Sequence, residues 1–348
     1  MASTTTTIPR GLRKGNTIAF VSPSARLKHE LPAPLARAKA YLEKSGYRVR
    51  IIFNDSPCEN FRESVLQRCE ELHSAFRDPD IKAILCTVGG SSANDLIRHR
   101  DYKLIRATSK IFCGYSDITV LHYAIFTLAG LRTFYGPAAM TELGDYPEPL
   151  QFTTDHFWHV LEARSAGKAF GTLPRSSAWA ETLPDFGPDE AIQKSSELSP
   201  SLPWTWLRPG KAKGRLFGGC LPSFLRLTGT KFWPDHRGRI LLLENPMGEQ
   251  MTDPLPLVKT RAMMADLANA GIFEEISGLV VGRPFAYDEK LREEFAQMIT
   301  DQCYGTDFPI LPNVDVGHTD PVLTVPLDAV VVLDSDRDEF SILEAGVL

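Results

Sequence analysis

Between Asn16 and Leu128, short apolar segments alternate with longer stretches of helical periodicity, and this alternation limits the possible folds more than any other feature. Segments of such length and composition are typical of buried strands, and the periodic stretches are typical of helices. Because parallel strands need a long crossover between them, the alternation predicts a parallel sheet with connecting helices. The predicted strands are 16–22, 47–53, 81–88 and 110–114, and the predicted helices are 35–42, 64–76, 102–108 and 118–128.

The pattern changes after Gly136 and Pro137. Residues 147–209 are rich in Pro, Ser, Thr and Trp and have weak periodicity, which predicts connecting and lid-like structure. Strands and helices return afterwards, with strands expected over 239–243, 276–281, 329–333 and 339–343 and helices over 256–270 and 290–300. A chain of 348 residues is longer than one core usually grows. The sequence therefore predicts an N-terminal domain over 1–145, a linker and substrate loop over 146–210, and a C-terminal α/β domain over 211–348.

Charge and composition exclude several classes of protein. The net charge is −5, and no dense Lys/Arg stripe interleaved with aromatics is present, so a nucleic acid polymer is not an expected partner. The start of the chain lacks the profile of a signal peptide, and no stretch reaches the ~18 apolar residues of a membrane span. The six cysteines have neither CxxC nor zinc spacing. We expect a cytoplasmic protein with reduced thiols and no metal or membrane association.

A tight turn at 114–117, with the sequence GYSD, lies between a predicted strand and a predicted helix. It would hold the hydroxyl of Ser116 at the carboxyl end of a strand, where open α/β sheets place their ligands. This position suits a nucleophile. The alternative is a helix cap, since Ser and Asp are the preferred capping residues. The elbow motif G-x-S-x-G is also incomplete, because Ile118 stands where its second glycine would be.

Two glycines, Gly89 and Gly90, follow the predicted strand 81–88. Without a Cβ they expose backbone N–H groups, which suits binding of a phosphate or an oxyanion. A simple strand-to-helix turn is the alternative. Neither GxGxxG nor GxxxxGK[ST] is present, so no nucleotide cofactor is indicated.

Two further titratable residues complete a possible catalytic set. Glu244 ends the apolar run LLLE at 241–244, and His318 lies in a polar loop over 313–321. Taken alone, either could be a solvent-exposed surface residue. Together with Ser116 they occur in the order nucleophile, acid, histidine, each at a predicted strand end or loop. The set predicts a serine hydrolase.

Seven motifs together resemble the serine peptidase family that contains LD-carboxypeptidases and microcin C immunity proteins. They are the segment 15–24, TVGG at 87–90, GYSDIT at 114–119, YGPA at 135–138, GRLFGG at 214–219, LLLEN at 241–245 and GHTDP at 317–321. The resemblance implies a Rossmann-like N-terminal domain, a swivelling β-containing C-terminal α/β domain, a homodimer, and no cofactor or metal. It also implies that Ser116 is the nucleophile, His318 the base and Glu244 the orienting carboxylate. The N–H groups of Gly90 and Asp117 would form the oxyanion hole, and Gly89 is expected to bind substrate.

The family contains two branches, and one segment bears on the choice between them. SSAWAE at 176–181 resembles the Trp-bearing loop of the immunity branch, so Trp179 is predicted to bind substrate by stacking on a base. Its alternative role is to anchor a long loop by packing. The expected substrate is an aminoacyl- or peptidyl-nucleotide amide. A murein LD-carboxypeptidase that releases D-alanine and a non-catalytic binder of aminoacyl nucleotides are the alternatives.

Two positions depart from the pattern of this family. Cys220 occupies a place where the family commonly has Asn, and Asn245, Pro246 and Met247 replace a more usual acidic residue after the glutamate. Neither departure touches the predicted catalytic set. Both affect which substrate we expect more than which reaction.

Overall fold

The computed structural model describes residues 6–54, 58–181, 183 and 197–348, and within them two sheets carry the fold. The first sheet has six strands and is parallel except at one edge. The second sheet has seven strands and combines a parallel half with an antiparallel half. The predicted fold class, a parallel-sheet domain followed by a second α/β domain, is therefore confirmed. Among the described residues, no helix combines the length and apolar character required to cross a membrane.

The first part of the chain follows the predicted alternation closely. Its elements are β1 (Thr17–Val21), α1 (Pro32–Lys44), β2 (Arg48–Ile51), α2 (Phe61–Arg77), β3 (Ile81–Cys86), α3 (Tyr102–Thr108), β4 (Ile111–Gly114), α4 (Thr119–Ala129), β5 (Phe134–Tyr135) and α5 (Gln151–Leu161). The strand order is β2-β1-β3-β4-β5, all parallel. The carboxyl ends of β3 and β4 therefore meet at the same edge of the sheet.

The rest of the chain builds the second sheet, a two-stranded sheet and one edge strand of the first sheet. Its elements are β6 (Gly171–Thr172), β7 (Ala178–Trp179), β8 (Ser199–Pro200), β9 (Lys211–Cys220), α6 (Leu221–Leu225), β10 (Ile240–Glu244), α7 (Leu257–Asn269), α8 (Ile272–Glu275), β11 (Gly278–Gly282), α9 (Glu289–Gln302), β12 (Ile310–Val314), β13 (Val325–Pro326), β14 (Val330–Asp334) and β15 (Glu339–Ile342). The order in the second sheet is β12-β11-β10-β9-β14-β15-β6, whereas β7 and β8 form the two-stranded sheet and β13 is the edge strand of the first sheet.

The segment expected to be a linker differs from its prediction. Helix α5 lies within it and buries Phe157, Trp158, Val160 and Leu161 in the core of the first sheet. Strand β6 pairs with β15 of the second sheet. This part of the chain thus contains structure that packs on both sheets, and its apolar residues account for the packing.

A second difference concerns the boundary between the two sheets. Strand β13 pairs antiparallel with β5, so a short piece of the C-terminal half forms an edge of the first sheet. Asn313 and Val314, expected in a polar loop, belong to β12. The loop that carries His318 therefore runs from β12, an edge strand of the second sheet, to β13, an edge strand of the first.

Candidate active site

Ser116 lies on a sharp turn between β4 and α4, as the sequence predicts. Its φ angle is 63°, in the left-handed region that residues other than glycine seldom adopt. This conformation is typical of a nucleophile held above a strand end. The Ser116 hydroxyl makes no cap to the helix that follows. The capping alternative is therefore wrong for this side chain.

The three titratable or nucleophilic side chains predicted from the sequence lie in one hydrogen-bonded chain. The Ser116 Oγ is 2.9 Å from His318 Nε2, and His318 Nδ1 is 2.8 Å from Glu244 Oε2. A carboxylate only accepts hydrogen bonds, so Nδ1 carries the proton and Nε2 is free to accept from the serine. Glu244 is 0% exposed and His318 is 3% exposed. The alternative that Glu244 and His318 are solvent-exposed surface residues is therefore wrong.

A tyrosine that the sequence reading did not single out connects the two sheets at this site. The Tyr135 hydroxyl donates to Glu244 Oε1 at 2.5 Å and accepts from the backbone N–H of Ser116 at 3.3 Å. Burial raises the pKa of Tyr135 well above its usual value, and Glu244 raises it further, so the hydroxyl remains a donor. The only signal in the sequence was its place in the YGPA motif at a strand end.

Two glycines leave room for the reactive side chains. A Cβ added to Gly89 would lie 2.6 Å from Ser116 Oγ and 3.3 Å from the backbone nitrogen of Asp117. Gly317 has φ 106°, and a Cβ there would lie 2.9 Å from Glu244 Oε2. The glycine loop predicted after β3 therefore lies directly against the side chain of Ser116. Gly90 follows it and lines the same cavity.

A cavity of about 490 Å³ opens beside Ser116, His318, Gly89 and Gly90. Its size lies within the range of small-molecule sites. Much of its wall is apolar, formed by Leu27, Leu31, Met140, Met247, Met251 and Leu255. Cys220 also lines it and pairs in register with Glu244 on the adjacent strand. Burial raises the pKa of the Cys220 thiol well above its usual value, so it is a neutral group here.

Trp179 does not lie among the residues that line this cavity. Its side chain is 1% exposed, and the guanidinium groups of Arg283 and Arg292 lie 5.4 Å and 6.0 Å from its ring. Strand β7, which carries it, pairs with β8, and Ala180 pairs with Asp320. In this conformation Trp179 is a packing residue that anchors its segment beside the histidine loop, and its face is not available to a base.

Tyr115 connects the histidine to a buried acidic residue, Glu142, and two further buried acids interact electrostatically with Glu142. The Tyr115 ring lies 5.0 Å from the His318 ring, and its hydroxyl donates to Glu142 Oε1 at 2.7 Å. Burial raises the pKa of Glu142 and raises that of Asp145 to about 6. Burial, then repulsion from Glu142 and Asp145, raises the pKa of Asp320 well above its usual value. Burial thus shifts all three carboxyl groups towards their neutral forms.

No group of three or more His, Cys, Asp or Glu side chains within the described ranges is arranged to hold a metal ion. What the geometry does provide is a serine on a strand-to-helix turn, a histidine within hydrogen-bond distance, and a buried glutamate behind it. An α/β fold with this arrangement is that of a serine hydrolase, which can carry out acyl transfer through a covalent intermediate.

Comparison with known proteins identifies the family. A model of the LD-carboxypeptidase N-terminal domain matches residues 18–136, and a model of the C-terminal domain matches residues 213–333. A putative carboxypeptidase of Vibrio cholerae is 30% identical over 97% of this chain and 98% of its own. The chain belongs to the LD-carboxypeptidase family of serine peptidases, as the resemblance predicted.

Members with different named roles are similar to this chain. A probable murein peptide carboxypeptidase of Bacillus subtilis is 30% identical over 97% of this chain and 95% of its own. The structure of the immunity protein MccF with glutamyl sulfamoyl guanosine has a TM-score of 0.89 and 26% identity, covering 98% of this chain and 99% of that one. The family therefore includes both of the branches considered from the sequence.

Proposed function

We propose that this chain is a serine amidase that cleaves the amide bond of aminoacyl- or peptidyl-nucleotide compounds. The observation that carries the proposal is the chain of hydrogen bonds from Ser116 through His318 to Glu244, with the serine open to the cavity. In this proposal the three residues are the nucleophile, the general base and the orienting carboxylate. No cofactor takes part.

The reaction would proceed in two stages. Ser116 Oγ bonds to the substrate carbonyl carbon while its proton passes to His318 Nε2, and Glu244 stabilises the imidazolium. The carbonyl oxygen becomes an oxyanion, which the N–H groups of Gly90 and Asp117 stabilise. The C–N bond then breaks and the proton passes from His318 to the leaving nitrogen. Water, deprotonated by His318, next hydrolyses the acyl-enzyme and regenerates Ser116.

The substrate class rests on the cavity and on relatives. The apolar wall, with its three methionines, suits an aromatic base, because thioethers make favourable contacts with rings. MccF, which shares the fold over nearly the whole chain, has been solved with glutamyl sulfamoyl guanosine and with aspartyl sulfamoyl adenosine. The stacking role predicted for Trp179 does not support this choice, since its side chain is buried and its ring is in contact with two guanidinium groups.

A murein LD-carboxypeptidase is the second candidate, and the similarity to a probable murein peptide carboxypeptidase favours it. The same three residues would then release a terminal D-alanine. A non-catalytic binder is disfavoured, since a pure binder needs no base aligned on a serine. We also expect a cytoplasmic homodimer, and light scattering on the purified chain would measure its oligomeric state.

The deciding experiment offers purified protein an aminoacyl sulfamoyl adenosine and a murein LD-tetrapeptide in separate reactions, followed by mass spectrometry. We expect hydrolysis of the nucleotide compound, abolished in Ser116→Ala. Release of D-alanine alone would reverse the order of the two candidates. Wild-type rates in Ser116→Ala would remove the nucleophile assignment. Failure of a serine-directed covalent probe to label Ser116 would support the binder.

A further inference from the structure

Among the described residues that line the cavity, one arginine lies close to the nucleophile. Arg226 immediately follows α6, and its Nη1 donates to Asp117 Oδ1 at 2.9 Å. Asp117 is the residue after Ser116, so this contact holds the guanidinium group beside the nucleophile turn. Arg226 lines the same cavity as Ser116 and His318, and its side chain is 37% exposed.

The carboxylate that anchors this arginine is fixed in place. The Asp117 side chain is fully buried, and its Oδ2 accepts from Ser24 Oγ at 2.6 Å and from the backbone N–H of Ala93 at 2.8 Å. An acceptor held by three groups has little freedom to move. The arginine that it binds is therefore preorganised, which lowers the entropic cost of binding a ligand to it.

Part of the guanidinium group remains available. Within the described residues, Arg226 donates to Asp117 through Nη1, and its Nε and Nη2 groups are left as donors for a ligand. Arginine presents its donors in a planar fork that matches a carboxylate. The other cation among the described lining residues, Lys259, is paired with Glu249 at 2.8 Å on an exposed part of the wall. The local donors suited to an anion near Ser116 therefore belong to Arg226.

We propose that Arg226 is a specificity-determining residue that binds a carboxylate of the substrate next to the scissile amide. This inference rests on the proposed function, since it assumes an amide bond at Ser116. The carboxylate can come from two sources: the acidic side chain of an aminoacyl group, or the free terminus of a peptide leaving group. Both offer the same planar anion to the same fork, and matched substrates distinguish them.

The test uses two pairs of compounds that differ by one charge. Aspartyl sulfamoyl adenosine is compared with its asparaginyl counterpart, and a murein LD-tetrapeptide with the same peptide amidated at its terminus. Hydrolysis is measured as kcat/KM in the wild type and in Arg226→Leu, and binding by calorimetry in Ser116→Ala and Ser116→Ala/Arg226→Leu. Arg226→Lys retains the charge beside Asp117 without the fork. Arg237→Leu removes an exposed arginine that is paired with Asp235, as a matched control.

We expect one pair to show a preference of about 10- to 100-fold for the carboxylate form, expressed in KM and in Kd. The preference should fall to about one in Arg226→Leu, be reduced in Arg226→Lys and be unchanged in Arg237→Leu. The pair that responds identifies the source of the carboxylate.

Equal losses on both members of each pair would mean that Arg226 only holds Asp117 in place, and would overturn the inference. A preference that survives Arg226→Leu, or no binding of any compound, would also overturn it. Binding is measured without the nucleophile, so discrimination with no hydrolysis by the wild type would contradict the proposed function while still supporting carboxylate binding by Arg226.

Discussion

The two sheets contribute to the candidate active site in different ways. The six-stranded sheet supplies backbone geometry: a serine held at φ 63° and a glycine whose missing Cβ makes room for the hydroxyl. The seven-stranded sheet supplies buried polar side chains, Glu244 and His318, hydrogen-bonded to each other. We therefore expect the first half to respond mainly to added atoms, and the second half to respond to altered charge as well as to atoms added at Gly317. The difference teaches that separate substitutions can test the backbone geometry of the first half and the charge of the second.

The largest effect should come from removing either end of the contact between the halves. We expect Ser116→Ala and His318→Ala each to lower kcat by about 10⁴-fold or more, and the double variant to lose little beyond either, because residues that act as a unit are not additive. Steady-state kinetics on the hydrolysed substrate measures this. Multiplying losses in the double variant would contradict a shared role.

Glu244→Gln tests the charge contribution of the seven-stranded sheet. The neutral amide no longer stabilises an imidazolium and can favour the wrong tautomer of His318, so we expect kcat to fall by about 10³- to 10⁴-fold. Glu148→Gln, at an exposed ion pair, is the matched control and should retain full activity. A loss below about 10-fold for Glu244→Gln would show that the charge is not needed.

Gly89→Ala tests the steric contribution of the six-stranded sheet. The new Cβ would lie 2.6 Å from Ser116 Oγ and must displace it, and we expect a loss of about 10²-fold in kcat/KM. Gly167→Ala is the control: it places alanine at φ 69°, which strains the backbone locally, but its added Cβ meets no atom within 4 Å, so its kcat/KM should be unchanged. Normal kinetics in Gly89→Ala would mean that the turn is less constrained than its packing indicates.

Tyr135→Phe removes the hydroxyl that connects the halves. The substitution removes the hydrogen bond to Glu244 and the hydrogen bond from the Ser116 N–H. We expect a loss of about 10-fold in kcat with a small change in KM. Kinetics across a range of pH separates the two bonds, because a change at Glu244 would shift the pH profile. An unshifted profile with reduced kcat would assign the effect to the serine turn.

The smallest effect concerns the buried acids where the sheets meet. The pKa of Asp145 is raised to about 6, so the native state holds this proton more tightly than the unfolded chain does. Its stabilising contribution is complete below pH 4 and is lost as pH rises through 6. We expect Asp145→Asn to raise Tm by roughly 2 °C at pH 7.5 and not at pH 4. Asp235→Asn should instead lower Tm at pH 7.5, because the hydrogen bonds and charge of Arg237 lower the pKa of Asp235 to about 2.

The first sheet could be predicted because its information is local. Strands such as β3 are apolar apart from one exposed residue, Lys82, and α3 has the bounds that its periodicity indicates. Helix α5 was missed because it buries threonine and histidine together with its aromatics, which obscures the apolar stripe. The strand β12 was missed because it contains a proline and an asparagine. Fold class follows from pattern, whereas such exceptions follow from tertiary contacts.

The candidate site divides in the same way. Ser116, Glu244 and His318 could be selected because strand ends and turns are visible in the sequence. The connection made by Tyr135 and the position of Arg226 depend on contacts across more than a hundred residues, which no local pattern encodes. Trp179 shows the opposite case, since a large aromatic in a polar segment suggests a ligand contact and here packs against arginines.

The pairing of β13 with β5 has a consequence for dissecting the molecule. The loop between β12 and β13, which carries His318 and is called the strap here, is held in the second sheet by β12 and in the first sheet by β13. A fragment ending at residue 210 would leave the edge of β5 uncovered and prone to pairing between molecules. Any rotation of one half against the other would pull on this strap, so the position of the imidazole would report how the two halves are seated.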